Sequence, residues 1–107
     1  MITIYVYVMD TLADWELGHV TSELNSRRFF KKNAPVVSIQ TVSASKEPIR
    51  TMGGLTILPD CVIADIVVKE ANVLLLPGAN TWNDRKHIPV IEKAKDFLSA
   101  GATVGAI

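Results

Sequence analysis

Apolar residues fill positions 2 to 9 almost without interruption, Ile2-Thr3-Ile4-Tyr5-Val6-Tyr7-Val8-Met9, and the run stops at Asp10-Thr11. A β-branched and aromatic stretch of this kind reads as a strand buried on both faces, and so as a central one. The period then changes. Ala13, Leu17, Val20 and Leu24 recur at intervals of four, three and four, which predicts a helix. Thr11-Leu12-Ala13-Asp14 has the spacing of a capping box at its start, and Arg27, Arg28, Lys31 and Lys32 lie where positive charge suits its C-terminal end. Beyond Pro35, Val36 to Ser43 reads as a second strand, so that strand, helix and strand open a parallel sheet.

Residues 44 to 60 have another texture. Pro48, Gly53-Gly54 and Pro59 punctuate two short extended pieces, Ile49 to Met52 and Leu55 to Leu58, which predict a small hairpin. Asp60 to Ala71 reads as a loop with a short helix. Val73-Leu74-Leu75-Leu76 is a third buried strand running into the turn Pro77-Gly78-Ala79-Asn80. Thr81-Trp82-Asn83-Asp84 repeats the capping-box spacing and predicts a helix start just past that turn. A longer helix is expected from about Ile88, with Pro89 in its first turn, Ile91, Ala94 and Leu98 on its inner face, and Gly101 as its stop. Ala102 to Ile107 reads as a fourth core strand. A core strand in this place is expected to run on into a further turn and helix, so residues 1–107 read as the N-terminal portion of a larger domain.

Composition narrows the class. Eleven basic and eleven acidic residues give zero formal charge, which offers no electrostatic case for nucleic acid. The hydrophobic share of 49% favours a sheet covered on both faces. Cys61 is the one cysteine, so no internal disulfide is available, and no paired Cys or His pattern suggests a metal. No apolar run approaches the roughly 18 residues of a membrane span, and the first residues lack the basic start and cleavage site of a secretion signal. These features predict a cytoplasmic protein with neither a membrane nor a nucleic-acid partner.

In open parallel sheets, ligands bind outside the carboxyl ends of the strands. Three features fall there: Glu16 in the first helical turn, the Pro77-Gly78-Ala79-Asn80 turn, and Val104-Gly105-Ala106-Ile107. Taken alone, Glu16 also suits the helix macrodipole, and the turn also suits a plain loop ahead of a helix. Exposed backbone N–H groups at such a turn can instead bind an oxyanion. Trp15 and Trp82 flank the two edges of this region, and His19 lies one turn after Glu16, although packing accounts for all three. His87 reads as a surface residue near a helix start, and Cys61 as a small buried hydrophobe.

The order and spacing of Leu12-Ala13-Asp14-Trp15-Glu16, Leu74-Leu75-Leu76-Pro77-Gly78-Ala79-Asn80 and Ala100-Gly101-Ala102-Thr103-Val104-Gly105-Ala106-Ile107 resemble the ThiJ/PfpI family, relatives of class I glutamine amidotransferases. The resemblance implies an α/β, flavodoxin-like sandwich with a mostly parallel central sheet and helices on both faces, here incomplete at its C-terminus. It also implies a nucleophilic cysteine on the elbow immediately after Ile107, tuned by Glu16, with backbone donors at Gly78 and Ala79; Ala79 replaces a common second glycine. Trp15, His19 and Asn80 become candidates for the substrate pocket. The implied activity is cysteine-dependent, acting on a small carbonyl, amide or peptide without a cofactor or metal, in a homodimer completed by the C-terminal remainder of the chain. The alternative is a redox-sensing or chaperone-like relative that turns over no substrate. A receiver domain fits poorly, since it would carry an aspartate where Leu76-Pro77 end the third strand.

Overall fold

A computed structural model describes residues 1–107. The first apolar run forms β1 (Ile2–Tyr7), followed by α1 (Asp14–Ser26) and β2 (Val37–Ser43). The hairpin is β3 (Ile49–Arg50) and β4 (Thr56–Ile57), antiparallel, with Gly54 at φ 83° in its turn. There follow β5 (Cys61–Val62), β6 (Val73–Leu76), α2 (Ile88–Ser99) and β7 (Thr103–Ala106). Single 3-10 turns span Ile63–Asp65 and Arg85–His87.

The main sheet has the order β5-β2-β1-β6-β7 and every pairing in it is parallel. β1 is its centre, as the continuous apolar pattern predicts, and Tyr5, Val6 and Tyr7 are buried. The chain moves from β1 toward one edge through α1, and from β6 toward the other edge through α2. Right-handed crossovers in opposite directions place the two helices on opposite faces. The order reverses between β1 and β6, so the carboxyl ends of these two strands flank the position of the crevice at which such sheets bind ligands.

Several local expectations give way to tertiary contacts. Thr11 does not cap α1: Ala13 is the N-cap residue, without a side-chain cap bond, and Thr11 sits at φ 69°. The Asp14 carboxylate turns instead to the hairpin, accepting from the Thr51 hydroxyl at 2.6 Å and the Gly53 amide at 2.8 Å. At the second proposed capping box no side-chain cap forms: the Thr81 hydroxyl turns to the Asp10 carbonyl, and only a 3-10 turn begins, at Arg85 with Asp84 as its N-cap. α1 stops at Ser26 with Arg27 left-handed, so the basic cluster lies beyond its last turn; Arg27 donates to the Ala34 and Pro35 carbonyls and Arg28 pairs with Glu23.

On α2 the buried positions are Val90 and Phe97, with Ala94 partly buried between them, while Ile91 and Leu98 face out. The inner stripe is thus i, i+4, i+7 from Val90 rather than from Ile91, because it brings Phe97 edge-on to Tyr5, ring centres 6.4 Å apart. The Asp60 to Ala71 segment contains β5, too short to show a period. β7 pairs with β6 alone among these residues. No helix is long and apolar enough to cross a membrane.

Candidate active site at the sheet crevice

The crevice is built by two loops that lean on each other. Residues Asp10 to Ala13 lead from β1 into α1, and Pro77 to Thr81 lead away from β6. The Ala13 amide donates to the Gly78 carbonyl at 2.9 Å, the Gly78 amide donates to Glu16 Oε2 at 2.7 Å, and the Asn80 amide donates to Thr11 Oγ1 at 2.8 Å. The Trp82 indole N–H closes the turn on the Pro77 carbonyl at 2.8 Å. From the other side, the hairpin grips the same first loop: Arg50 N–H donates to Asp10 Oδ1 and Thr11 N–H to the Arg50 carbonyl, both at 2.9 Å.

Thr11 accounts for much of this convergence. A β-branched residue at positive φ is a genuine outlier, costing on the order of 1–3 kcal/mol, and survives only where its surroundings over-determine it. Here its amide and its hydroxyl are both engaged, on opposite sides of the loop. The reward is direction: the strained residue turns the chain so that Glu16 reaches the Gly78 turn.

Gly78 is required by proximity, not by backbone freedom. A Cβ there would lie 2.8 Å from Glu16 Oε2 and 3.0 Å from Oε1. Ala79 is not among the positive-φ residues, so the departure from a second glycine carries no backbone strain. Within the turn the Gly78 N–H is spent on the Glu16 carboxylate, whereas the Ala79 N–H donates to no group of the chain. The two donors grouped by the sequence pattern are therefore inequivalent.

β7 brings the third motif alongside. Leu76 pairs with Ala106, and the Ile107 amide continues the ladder by donating to the Leu76 carbonyl at 3.2 Å. This ladder brings the end of β7 level with the start of the Pro77-Gly78 turn, whose Gly78 amide holds Glu16.

Residues 2–107 match the DJ-1/PfpI family. The chain belongs to the DJ-1/PfpI family. It is 41% identical over 104 residues to an uncharacterized protease, YoaZ, of Bacillus subtilis, covering 97% of this chain and 50% of that protein. The crystal structure of a ThiJ/PfpI family protein from Bacillus anthracis superposes with a TM-score of 0.94 at 39% identity, over 99% of this chain and 50% of that one. A DJ-1 superfamily protein from Agrobacterium tumefaciens shares the fold at a TM-score of 0.79 and 22% identity, over 99% and 53% of the two chains. The chain thus spans about half the length of the relatives it matches.

The other sequence candidates fall in different places. Trp15 and His19 are exposed on α1, and Asn80 is exposed with its amide on Thr11. His87, expected on the surface, is buried: Tyr7 OH lies 2.7 Å from Nδ1 and Thr81 Oγ1 3.1 Å from Nε2. Trp82 packs on Tyr7 and His87, ring centres 5.8 and 5.2 Å away. The missed signal is the pairing of two isolated polar groups, Tyr7 in a buried strand and His87 before a helix, which no period connects. Burial lowers the His87 pKa, and pushes that of Tyr7 up to about 12.

Cys61 is half-buried on β5, its thiol pKa raised by burial and then by Asp65 and Asp60, the opposite of nucleophile activation. An apolar cavity of about 270 Å³ lies between α1 and the hairpin, lined by Val6, Leu17, Ile39 and Ile57, and touches neither Glu16 nor Gly78. No cluster of three His, Cys, Asp or Glu side chains has the arrangement of a metal site.

Proposed function

We propose that residues 1–107 are the N-terminal portion of one DJ-1/PfpI domain and form the supporting shell of a cysteine-dependent active site acting on a small carbonyl, amide or peptide substrate. The observation that carries this reading is the Glu16 carboxylate, fixed 2.7 Å from the Gly78 amide at the point where the strand order reverses. A thiol on the elbow after Ile107 would enter beside that carboxylate, at the start of a helix whose dipole favours thiolate. Glu16 would tune it by hydrogen bonding.

The oxyanion role divides on the same geometry. Ala79 offers an N–H with no partner in the chain, while Gly78 acts chiefly by orienting Glu16. Trp15, His19 and Asn80, all exposed, would serve at most the outer rim of a substrate cleft or a homodimer face. The proposed setting is cytoplasmic, where free thiols stay reduced.

The test begins with the residue encoded after Ile107; anything but cysteine ends the nucleophile reading. With cysteine present, its alkylation rate is measured against pH in the wild type and in Glu16→Gln. The variant is expected to shift the thiol midpoint, and an unchanged midpoint removes Glu16 from the mechanism. Turnover of methylglyoxal, small amides and peptides then separates an enzyme from a redox-sensing or chaperone-like relative, in which the thiol is oxidised without turnover.

A further inference from the structure

One buried polar group is left over by the proposed chemistry. His87 is 1% exposed and Tyr7 is fully buried, yet both keep every polar side-chain atom paired. The direction of the pairing follows from its far end. The Asp10 carbonyl can only accept, so the Thr81 hydroxyl, 3.2 Å away, donates its single proton there. Thr81 Oγ1 must then accept from His87 Nε2 at 3.1 Å, so Nε2 carries the imidazole proton. Nδ1 is left bare and accepts the Tyr7 O–H at 2.7 Å.

We propose that Tyr7, His87 and Thr81 form a one-way hydrogen-bond relay ending on the Asp10 carbonyl, and that His87 is a positioning residue which, as the neutral Nε2–H tautomer, holds the Gly78 turn against Glu16. The relay joins the two loops of the crevice from beneath. Thr81 is three residues from Gly78 on one loop, and Asp10 precedes the strained Thr11 on the other. The part that concerns Glu16 rests on the function proposed above; the relay itself does not.

Protonating His87 breaks the relay. A doubly protonated ring cannot accept from Tyr7, whose hydroxyl would become a buried donor without a partner. A cavity of about 210 Å³ at the carboxyl ends of β1 and β2 borders the ring, with Asp10, Glu47 and Lys86 among its lining residues. The surroundings oppose the charged ring: burial first, then Lys86, against weaker support from Asp84, the Thr81 backbone and Asp10. His87 also stands at the N-terminus of α2, whose dipole adds to the opposition. Glu47 on the β2–β3 loop and Tyr7 on β1 complete the titratable groups around it.

The test uses the full-length protein labelled with 15N in histidine and backbone amides. Two-bond proton–nitrogen spectra at neutral pH are expected to find His87 protonated at Nε2. On acidification, the Gly78 and Ala79 amides are expected to shift with the His87 midpoint, below 6.5. In Tyr7→Phe that midpoint should rise toward 6.5, and in His87→Gln the amide step should vanish, each variant first checked for native near-UV circular dichroism. A variant that fails this check leaves the decision to the wild-type spectra. An Nδ1–H tautomer, or Gly78 and Ala79 amides indifferent to His87, overturns the relay. No nucleophile enters this readout, so the relay can hold where the cysteine reading fails, and a Glu16-dependent thiol with indifferent amides would mean the reverse.

Discussion

Gly78 and Glu16 meet at a distance that leaves no room for a methyl group. Gly78→Ala would press its Cβ within 2.8 Å of Glu16 Oε2, and crowding of this kind costs about 1–3 kcal/mol. Denaturant unfolding should find that cost in an otherwise wild-type protein and a smaller one in a Glu16→Ala background. An equal cost in both would mean that something other than Glu16 fills the space. Sequence alone reaches Glu16 and Gly78 separately, one as a helix-start carboxylate and the other as a turn residue. That the second donates to the first across 62 positions is a tertiary fact. The same holds for Thr11 and Thr81. Both have capping spacing, yet both hydroxyls serve the opposite loop, because a long-range partner in a crowded crevice outcompetes a local cap worth about 1 kcal/mol.

Elements are more legible than the faces they bury. The apolar runs at positions 2 to 9 and 73 to 76 mark the two strands that flank the crevice, since a strand covered on both faces leaves little room for polar residues. The α2 helix is also legible in extent, from Pro89 near its start to Gly101 at φ 76° past its end. Its face is not, because Val90, Ile91, Ala94, Phe97 and Leu98 contain two overlapping helical stripes. Packing against Tyr5 and the sheet selects the one with Phe97. Phe97→Ala should therefore cost about 3–5 kcal/mol, whereas Leu98→Ala, at a side chain 63% exposed, should stay within about 0.5 kcal/mol. Comparing the two midpoints in urea checks the assignment, and equal losses would return Leu98 to the core. The short strands β3, β4 and β5 carry two residues each, below the length at which a period can be read.

Across the whole molecule the buried relay sets a pH window. The His87 pKa is depressed, so its contribution is complete above the ordinary 6.5 and is lost as pH falls through the folded value. Tyr7 is raised from 10.0 to about 12, so its contribution is complete below 10 and is lost as pH rises toward 12. Unfolding free energy is expected to be highest between these limits. Asp14, lowered chiefly by the Thr51 hydroxyl, adds to the loss in stronger acid. His87→Gln should flatten the acid limb and Tyr7→Phe the alkaline limb in chemical denaturation across pH; limbs unchanged in both variants would place the titrating groups elsewhere. Much of this architecture was readable in the chain alone: a parallel α/β sheet with β1 at its centre, the strand-end turns, and the ThiJ/PfpI resemblance of its motifs. Hydrophobic period and turn chemistry are local properties, and the sheet and its turns depend on little else, while the family likeness rests on the order and spacing of three motifs. The Glu16–Gly78 bond, the unequal amides of Gly78 and Ala79, the burial of His87 and the strain at Thr11 were decided only when the strand order reversed between β1 and β6. That reversal brings together loops separated by more than sixty residues, and no spacing along the chain encodes which of their polar atoms will find each other.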